Sequence, residues 1–307
     1  MKDAMSTEAN APYYDNLRDL RLSPGWARPE PSMWPAPAPR FKPAVWRFAE
    51  AKQALDASHN LVPAELTERR NLILVNPIEG NNYATTRHLV AAYQCVMPGE
   101  MARTHRHSAA ALRLVLQGKT GVYTVVNGQR IDMSPGDVVL TPAWSWHGHV
   151  NESPETGYWI DFLDIPFIQL TEAMFFEPYP KGGLEPIVGN GTSPMRIPSS
   201  TALGPGTDAK TIEIANGIMP TIALHLLRRP QGTVAAFDKS TTNVIYAVVS
   251  GKARFQVADL DETLGVGDVI AMPCWHSHTI EAPEDTVVFR VSDEPIFEKL
   301  GLARTAN

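Results

Sequence analysis

Short apolar segments separated by turn residues dominate the chain between residues 70 and 163. These segments are rich in β-branched and aromatic residues and have the length of strands: NLILVNP, AAYQCVMPGE, ALRLVLQG, GVYTVVNGQ, DVVLTP and YWIDFLD. The pair Asn127-Gly128, between two Val-rich segments, is typical of a tight hairpin turn. Many short strands at this spacing predict an antiparallel sandwich or barrel, and therefore an all-β fold class.

The flanking sequence has a different character. Residues 1–66 begin with a Pro-rich arm, and a helix is predicted over residues 45–58 because apolar positions there recur at helical spacing. Residues 181–210 are rich in Gly, Pro and Ser, which predicts a linker. The predicted organisation is an arm and helix at 1–66, a first β-domain at 67–180, the linker at 181–210 and a second β-domain at 211–307.

The second β-domain repeats the first. VLQGKTGVYTVVNGQ followed by SPGDVVLTPAW returns as VVSGKARFQVADLDE followed by GVGDVIAMPCW. Gly118 and Gly251 are 133 positions apart, and Pro142 and Pro273 are 131 apart. Because the markers keep their order, we interpret the two domains as copies of one β-domain.

Composition and charge exclude several classes of protein. The 33 acidic and 27 basic residues give a net charge of −6, which argues against a nucleic-acid-binding surface. The longest apolar runs are far shorter than the roughly 18 residues of a membrane span, so no membrane partner is expected. The two cysteines lie in separate halves and exclude a disulfide framework, and no apolar signal core begins the chain. We therefore expect a cytoplasmic protein.

Three histidines have the spacing of metal ligands. His105 and His107 are two positions apart, so on a strand both imidazoles project from the same face and can reach one metal ion. His147 follows forty positions later, after a Gly-Asp turn, a short strand and Pro142.

These residues resemble the two cupin motifs. The first motif corresponds to Gly99, His105, His107 and Gly118, and the second to Gly136, Pro142, His147 and Asn151. The resemblance implies two cupin barrels in tandem, each a double-stranded β-helix or jelly roll, with a few short helices. The cupin pattern usually has a Glu at the position of Ala111, so the predicted site has three neutral imidazoles and no carboxylate. Such a site favours an anionic, chelating substrate.

Between residues 68 and 179 the chain resembles the bicupin ring-cleaving dioxygenases for gentisate, salicylate and 1-hydroxy-2-naphthoate. The matching segments include ERR at 68–70, PGE at 98–100, HRHS at 105–108, ALR at 111–113, NES at 151–153 and DFLDIP at 161–166. The resemblance implies O2-dependent cleavage of an ortho-hydroxybenzoate between its carboxyl- and hydroxyl-bearing carbons. It also implies a homotetramer.

The resemblance assigns roles to particular residues. It implies one Fe(II) per chain on His105, His107 and His147 in the first cupin, and catalytic roles for Arg69, Arg113 and His149. The substrate-binding positions that it implies are Arg69, Val90, Gln94, Arg113, His149 and Asp161.

The residues alone leave alternatives open for three of these positions. Arg113 lies in an otherwise apolar strand, where a charge needs either an anionic ligand or an internal ion pair. Arg69, next to Glu68 and Arg70, also fits a solvated charge cluster. His149 also fits a surface loop, whereas Arg106 is expected to face outward from its strand.

The second copy does not repeat the metal motif. Aligning Gly251 on Gly118 puts Asp238 and Ser240 at the positions of His105 and His107, and His278 at that of His147. These three side chains do not make a convincing metal site, so the second cupin is predicted to lack a metal.

Two departures from the family concern the substrate. Val90 stands where the relatives usually have Trp or Tyr, and Phe162 stands where a glycine is common. The pocket is thus expected to lose one aromatic wall and to gain another at Phe162. Gentisate and a 5-substituted salicylate, such as nitro- or chlorosalicylate, are both candidates. The alternatives are a cupin oxygenase or isomerase for another chelating acid, a pirin-like regulatory cupin and a metal-free structural cupin.

Overall fold

The structure is a computed structural model that describes residues 11–28, 32–62, 70–189 and 192–306. It divides into two units, residues 1–38 and residues 39–307. The described part of the smaller unit forms α1 (Ala11–Asp19) and a 3-10 helix (Gly25–Ala27), and neither helix has a buried residue. No helix in the described ranges has the length and apolar character that a membrane span requires.

The first barrel consists of two antiparallel sheets. The strands of the larger sheet are β2 (Arg70–Ile73), β3 (Val90–Val96), β5 (Ala111–Gln117), β8 (Asp137–Thr141), β10 (Gly157–Leu163) and β12 (Arg196–Pro198). The strands of the smaller sheet are β4 (Met101–His107), β6 (Val122–Val126), β7 (Gln129–Asp132), β9 (His147–Asn151) and β11 (Phe176–Pro178). The sheet orders are β12-β8-β5-β10-β3-β2 and β11-β4-β9-β6-β7.

The second barrel, in the C-terminal half, also has two sheets. The strands of the larger sheet are β1 (Ala44–Trp46), β13 (Lys210–Ile214), β14 (Ala223–Arg229), β16 (Val244–Ser250), β19 (Val269–Met272) and β21 (Thr286–Ser292). The strands of the smaller sheet are β15 (Val234–Phe237), β17 (Ala253–Val257), β18 (Leu260–Leu264) and β20 (His278–Glu281). The order β1-β19-β16-β21-β14-β13 matches that of the large sheet of the first barrel. The order β15-β20-β17-β18 matches β4-β9-β6-β7, and β11 has no counterpart in this sheet. Two copies of one domain account for this agreement. The predicted all-β class is confirmed.

In each large sheet, one edge strand comes from a segment that lies outside the consecutive strands of that barrel. β1, from the N-terminal stretch, pairs with β19 of the second barrel, and β12, from the stretch predicted as a linker, pairs with β8 of the first. The short helix α4 (Ser199–Leu203) directly follows β12. Helix α2 (Phe48–Leu61) directly follows β1 and contains the buried side chains Phe48 and Leu55. The segments outside the two runs thus protect sheet edges that would otherwise present unpaired backbone groups.

Strand alternation separates two packing regions in the first barrel. On β5, Leu112 and Leu114 belong to an apolar cluster that also contains side chains of the second barrel, whereas Val115 packs with Val139 and Trp159 inside the first. The residue between Leu112 and Leu114 is Arg113, so alternation turns this charged side chain to the barrel interior. The hairpin turn between β6 and β7 has positive φ at both Asn127 and Gly128, as a type I′ turn requires.

The barrels also contact each other through two equivalent buried carboxylates, those of Asp164 and Asp293. Asp164 precedes α3 (Ile165–Leu170) and accepts hydrogen bonds from the Ala110 backbone N–H at 2.8 Å and from the Thr221 hydroxyl at 2.5 Å. Asp293 precedes α5 (Glu294–Lys299) and accepts one from the Asn243 N–H, while its Oδ2 lies 2.7 Å from Nδ1 of His88. In both cases the carboxylate is fixed by its own barrel and by a side chain of the other half.

Replacing Thr221 by Val tests this contact. Burial raises the pKa of Asp164 above its usual 3.8, and the Thr221 hydroxyl opposes that shift. Because the pKa of Asp164 is higher in the folded than in the unfolded protein, the free energy of unfolding falls as the pH rises from about 3.8 through the folded-state pKa. We expect Thr221→Val to lower the free energy of unfolding by about 1.5–3 kcal/mol at pH 7.5 and by less at pH 4.5, measured by urea unfolding. Thr263→Val, at an exposed position on β18, is the control. An equal loss of unfolding free energy at both pH values would contradict the role of the Thr221 hydroxyl as a hydrogen-bond donor to the Asp164 carboxylate.

Candidate metal centre and substrate pocket

Two neighbouring strands bring three imidazoles together inside the first barrel. His105 on β4 lies directly opposite His147 on β9, and a bulge between Ala102 and His105 sets this register. His107 is two residues further along β4, so its side chain projects from the same face as that of His105. The candidate ligand nitrogens of the three rings all lie within 4.8 Å of one another, and all three residues are buried.

Backbone carbonyls fix the orientation of each ring. Nδ1 of His105 lies 2.9 Å from the Arg103 carbonyl, that of His107 lies 2.7 Å from the Ala109 carbonyl, and that of His147 lies 3.0 Å from the Ser145 carbonyl. A neutral imidazole that donates from Nδ1 has its lone pair on Nε2. The three Nε2 atoms are therefore oriented as metal ligands, which is the arrangement expected around a divalent transition metal.

The electrostatic environment keeps His147 neutral. Burial is the main cause that lowers the pKa of His147 well below its usual 6.5, and the positive charge of Arg113 is the next. A neutral imidazole can bind a metal, whereas a protonated one cannot. The cluster thus offers neutral nitrogen ligands, and Ala111 on the inward-facing side of β5 supplies no carboxylate.

Arg113 lies in the interior of the same barrel and is only 1% exposed. Its Nε is 3.1 Å from Oδ1 of Asp161, which is directly opposite on β10, and its Nη1 donates to the Thr141 hydroxyl at 2.6 Å. The internal ion pair that the sequence left open is therefore present. These two contacts hold the guanidinium in the wall of the barrel, near enough to His147 to influence its pKa.

Gln94 and Trp159 extend this wall. Gln94 on β3 is paired with Trp159 on β10, both are buried, and strand alternation puts them on the face that carries Asp161. Among the described residues, neither the Gln94 Nε2 nor the Trp159 Nε1 has a hydrogen-bond partner. Sequence reasoning overlooked Trp159, although its position two residues before Asp161 indicates the same inward face.

His149 lies beside the three histidines and not in a surface loop. It is fully buried on β9, and its ring centroid is 5.0 Å from that of Trp159 and 6.2 Å from that of His147. Phe176 of β11, which is half exposed, stacks on His105 with ring centroids 5.1 Å apart. Aromatic and imidazole rings therefore adjoin the metal-ligand cluster.

Two substrate-pocket expectations concern Val90 and Phe162. Val90 at the start of β3 is buried and, by alternation, shares the inward face with Gln94. The expectation that Phe162 forms an aromatic pocket wall is wrong, because Phe162 follows the inward-facing Asp161 and therefore points to the opposite side. There it packs against Phe289 of the second barrel, with ring centroids 5.8 Å apart. Arg69 lies outside the described residues.

In the second barrel the register places a different residue opposite the matching histidine. His278 pairs with Phe237, which corrects the alignment of Asp238 with His105. The β4 bulge accounts for the difference, since it adds one residue before His105 that β15 lacks. Ser240 still corresponds to His107, because the second barrel has one residue more between Phe237 and Ser240 than the first has between His105 and His107. The His107 carbonyl accepts a hydrogen bond from the Trp144 N–H, after β8, and the Ser240 carbonyl accepts one from the Trp275 N–H, after β19. Among the described residues, the three histidines of the first barrel are the one group that can hold a metal ion.

Comparison with known proteins agrees with this architecture. A family model for the cupin domain matches residues 92–163. The 5-aminosalicylate 1,2-dioxygenase of Comamonas sp is 31% identical over 98% of this chain and 91% of its own length. The gentisate 1,2-dioxygenase 1 of Aquipseudomonas alcaligenes is 31% identical over 97% of this chain and 96% of its own.

A solved structure agrees over nearly the whole length. The salicylate 1,2-dioxygenase from Pseudaminobacter salicylatoxidans matches with a TM-score of 0.87 and 30% sequence identity, covering 98% of this chain and 97% of that one. The predicted tandem cupin barrels and the predicted resemblance are confirmed. The chain belongs to the bicupin family of ring-cleaving 1,2-dioxygenases of the gentisate and salicylate type and is an enzyme of that class.

Proposed function

We propose that this protein is an Fe(II)-dependent dioxygenase that opens the ring of a 5-substituted salicylate, a class that includes gentisate. The ring would be cleaved between its carboxyl- and hydroxyl-bearing carbons. The observation that carries the proposal is the buried group of three imidazoles, each fixed through Nδ1 to a backbone carbonyl, with Arg113 in the adjoining wall. A neutral ligand set beside a buried guanidinium suits an anionic, chelating aromatic acid.

His105, His107 and His147 would hold the iron, one ion per chain. Fe(II) bound there would supply coordination positions for substrate and O2 and the electron transfer that activates them. With no carboxylate among the protein ligands, the ion would keep its full 2+ charge until the substrate binds. The carboxylate and the ortho-hydroxyl of a salicylate can provide the missing oxygen ligands.

Arg113 would orient the substrate. Its guanidinium is held by Thr141 and Asp161, so little conformational freedom is lost when an anion binds to it. Asp161 would act by fixing Arg113 and by limiting the positive charge in the wall. Arg69 would be a second arginine for the substrate, as the resemblance implies.

His149 and Gln94 would complete the substrate contacts. A ring nitrogen of His149 would take the proton from the substrate hydroxyl as this group becomes a ligand. The amide Nε2 of Gln94 would donate to a substrate oxygen, which would give this buried nitrogen a hydrogen-bond partner. Trp159, next to both residues, would exclude water from this part of the pocket.

The pocket wall at Val90 supports a substituted ring. Valine is much smaller than the aromatic residue usual in the family, and Phe162 does not compensate because it faces the second barrel. The extra space would accommodate a group such as hydroxyl, amino, nitro or chloro at position 5. Location in the cytoplasm and assembly as a homotetramer stay predictions of the sequence and of the resemblance.

Anaerobic loading with Fe(II), followed by O2-uptake assays, tests the proposed activity. The assay panel contains salicylate, gentisate, 5-amino-, 5-nitro- and 5-chlorosalicylate and 1-hydroxy-2-naphthoate. We expect about one iron per chain and O2 uptake with at least one 5-substituted salicylate. His107→Ala removes a ligand, so it should lower iron affinity by at least the roughly 10–100-fold that loss of a supporting partner costs, and it should abolish uptake. His59→Ala, on the exposed side of α2, should keep both. O2 uptake with no member of the panel would refute the proposal.

Substitution of Arg113 separates substrate orientation from structural support. Arg113→Met removes the charge that would bind the substrate carboxylate, so we expect kcat/KM per bound iron to fall about 100-fold, with a raised KM. Arg113→Lys should recover part of this loss because it keeps the charge without the planar guanidinium. Arg130→Met on β7 is the control, and an unchanged KM in both Arg113 variants would contradict the assignment.

Substitution of Val90 tests the pocket wall. Val90→Trp restores an aromatic side chain and removes space, so we expect kcat/KM for 5-nitrosalicylate to fall about tenfold or more relative to salicylate. Steady-state O2-uptake rates for the two substrates give this ratio directly. Val188→Trp, at an exposed position, should leave the ratio unchanged. If Val90→Trp also left it unchanged, Val90 would not line the substrate pocket.

A further inference from the structure

The second barrel contains a cavity at the position that the metal cluster occupies in the first. Its volume is about 450 Å³, within the usual range for small-molecule sites. Strand pairing places His278 at the position of His147, Tyr246 at that of Arg113 and Arg290 at that of Asp161. All three side chains line the cavity. The duplication has therefore retained an internal chamber while its polar groups have changed.

The chamber has lost its metal-binding arrangement. His278 Nε2, the counterpart of a ligand atom, lies 2.9 Å from the Tyr246 hydroxyl, and Phe237 stacks on the same imidazole with ring centroids 4.8 Å apart. Burial lowers the pKa of His278 to about 4 and raises that of Tyr246 to about 12, so both groups are neutral at pH 7. Tyr246 and His278 therefore share a hydrogen bond as neutral groups, and the Arg290 guanidinium donates a second hydrogen bond to the Tyr246 oxygen.

Arg290 supplies positive charge to this chamber. Its side chain is 15% exposed, and its hydrogen bonds to His225 Nδ1, to the Ser292 hydroxyl and to Glu294 all use Nη1. The Tyr246 hydroxyl is a further hydrogen-bond partner of this guanidinium, and Glu294 is its anionic partner. An incoming anion would therefore bind the N–H groups that these contacts do not use. The other charged side chains that line the cavity are Asp238, Glu294 and Arg304.

Apolar side chains form another part of the lining. Phe237, Val244 and Met272 all contribute to the cavity, and Val244 and Met272 are buried. A chamber whose lining combines a fixed guanidinium with apolar side chains matches a ligand that has an anionic head and an apolar body.

We propose that the second barrel is a binding site for a small organic carboxylate. The carboxylate binds Arg290, and the apolar body packs against Phe237 and Met272. The site needs no metal, and it is separate from the first-barrel centre. Its existence does not depend on the reaction proposed for that centre, because the residues that form it belong to other strands.

Calorimetric titration of the iron-loaded protein with benzoate tests the proposal. Benzoate lacks the ortho-hydroxyl group of the proposed substrates and is therefore used as a non-reacting probe. The carboxylate of benzoate can also bind at the first-barrel centre, so the second-barrel site is identified by its response to substitution. It is the benzoate site that Arg290→Met weakens at least about tenfold and that Arg254→Met, on the exposed pair with Asp261, leaves intact. Ser240→Leu, which fills the chamber at the position corresponding to His107 and keeps Arg290, should weaken the same site.

Two further probes separate charge from shape. Benzamide has the shape of benzoate without its charge and should bind the wild-type site at least about tenfold more weakly, a difference that Arg290→Met should remove. Acetate has the charge without the apolar body and should also bind at least about tenfold more weakly than benzoate. The proposal is overturned if both Arg290→Met and Ser240→Leu bind benzoate like the wild type, or if benzamide or acetate equals benzoate. Loss of O2 uptake alone would affect only the first-barrel proposal.

Discussion

The candidate centre depends on the register between β4 and β9. A one-residue change in strand register moves side chains to the other face, so three imidazoles converge only because the bulge after Ala102 places His105 opposite His147. The backbone that sets this register also provides the carbonyls that fix the rings through Nδ1. Strand geometry and ligand orientation are therefore two results of the same local backbone path.

The second barrel shows what the same fold becomes without this bulge. β15 and β20 pair without interruption, so Phe237 lies opposite His278 and stacks on it. The rest of the strand order is retained, including the pairing of β16 with β21 that places Tyr246 opposite Arg290. Loss of the metal ligands therefore required no change of topology, only a shorter strand and new side chains at inward-facing positions.

Local sequence patterns predicted much of the fold and the metal ligands. The spacing of His105 and His107, the hairpin at Asn127-Gly128 and the repeated Gly and Pro markers each depend on short stretches of chain, where the side-chain period is known. The Arg113–Asp161 ion pair was left open because the two residues are far apart in sequence and meet only through the pairing of β5 with β10. Strand alternation predicts that Phe162 points away from the barrel interior once Asp161 is placed inside. The resemblance showed only that Phe162 replaces a glycine common in the family, which does not indicate the direction of its side chain.

The two chambers have different side chains at the same inward-facing cross-strand pair, which is Arg113 and Asp161 in the first barrel and Tyr246 and Arg290 in the second. In the first barrel, Asp161 pairs with Arg113, and this ion pair limits the charge next to a site expected to hold a divalent cation. In the second, Tyr246 and Arg290 occupy these positions, and no metal cluster is found there among the described residues. The Arg290 guanidinium is partly buried and already paired with Glu294, so an added anion would share it with that carboxylate. The Arg113 guanidinium adjoins the candidate metal centre and can orient an anion that the metal also binds. The exchange of Asp161 for Arg290 at one strand position thus changes the chemistry of a barrel whose backbone is conserved between the copies.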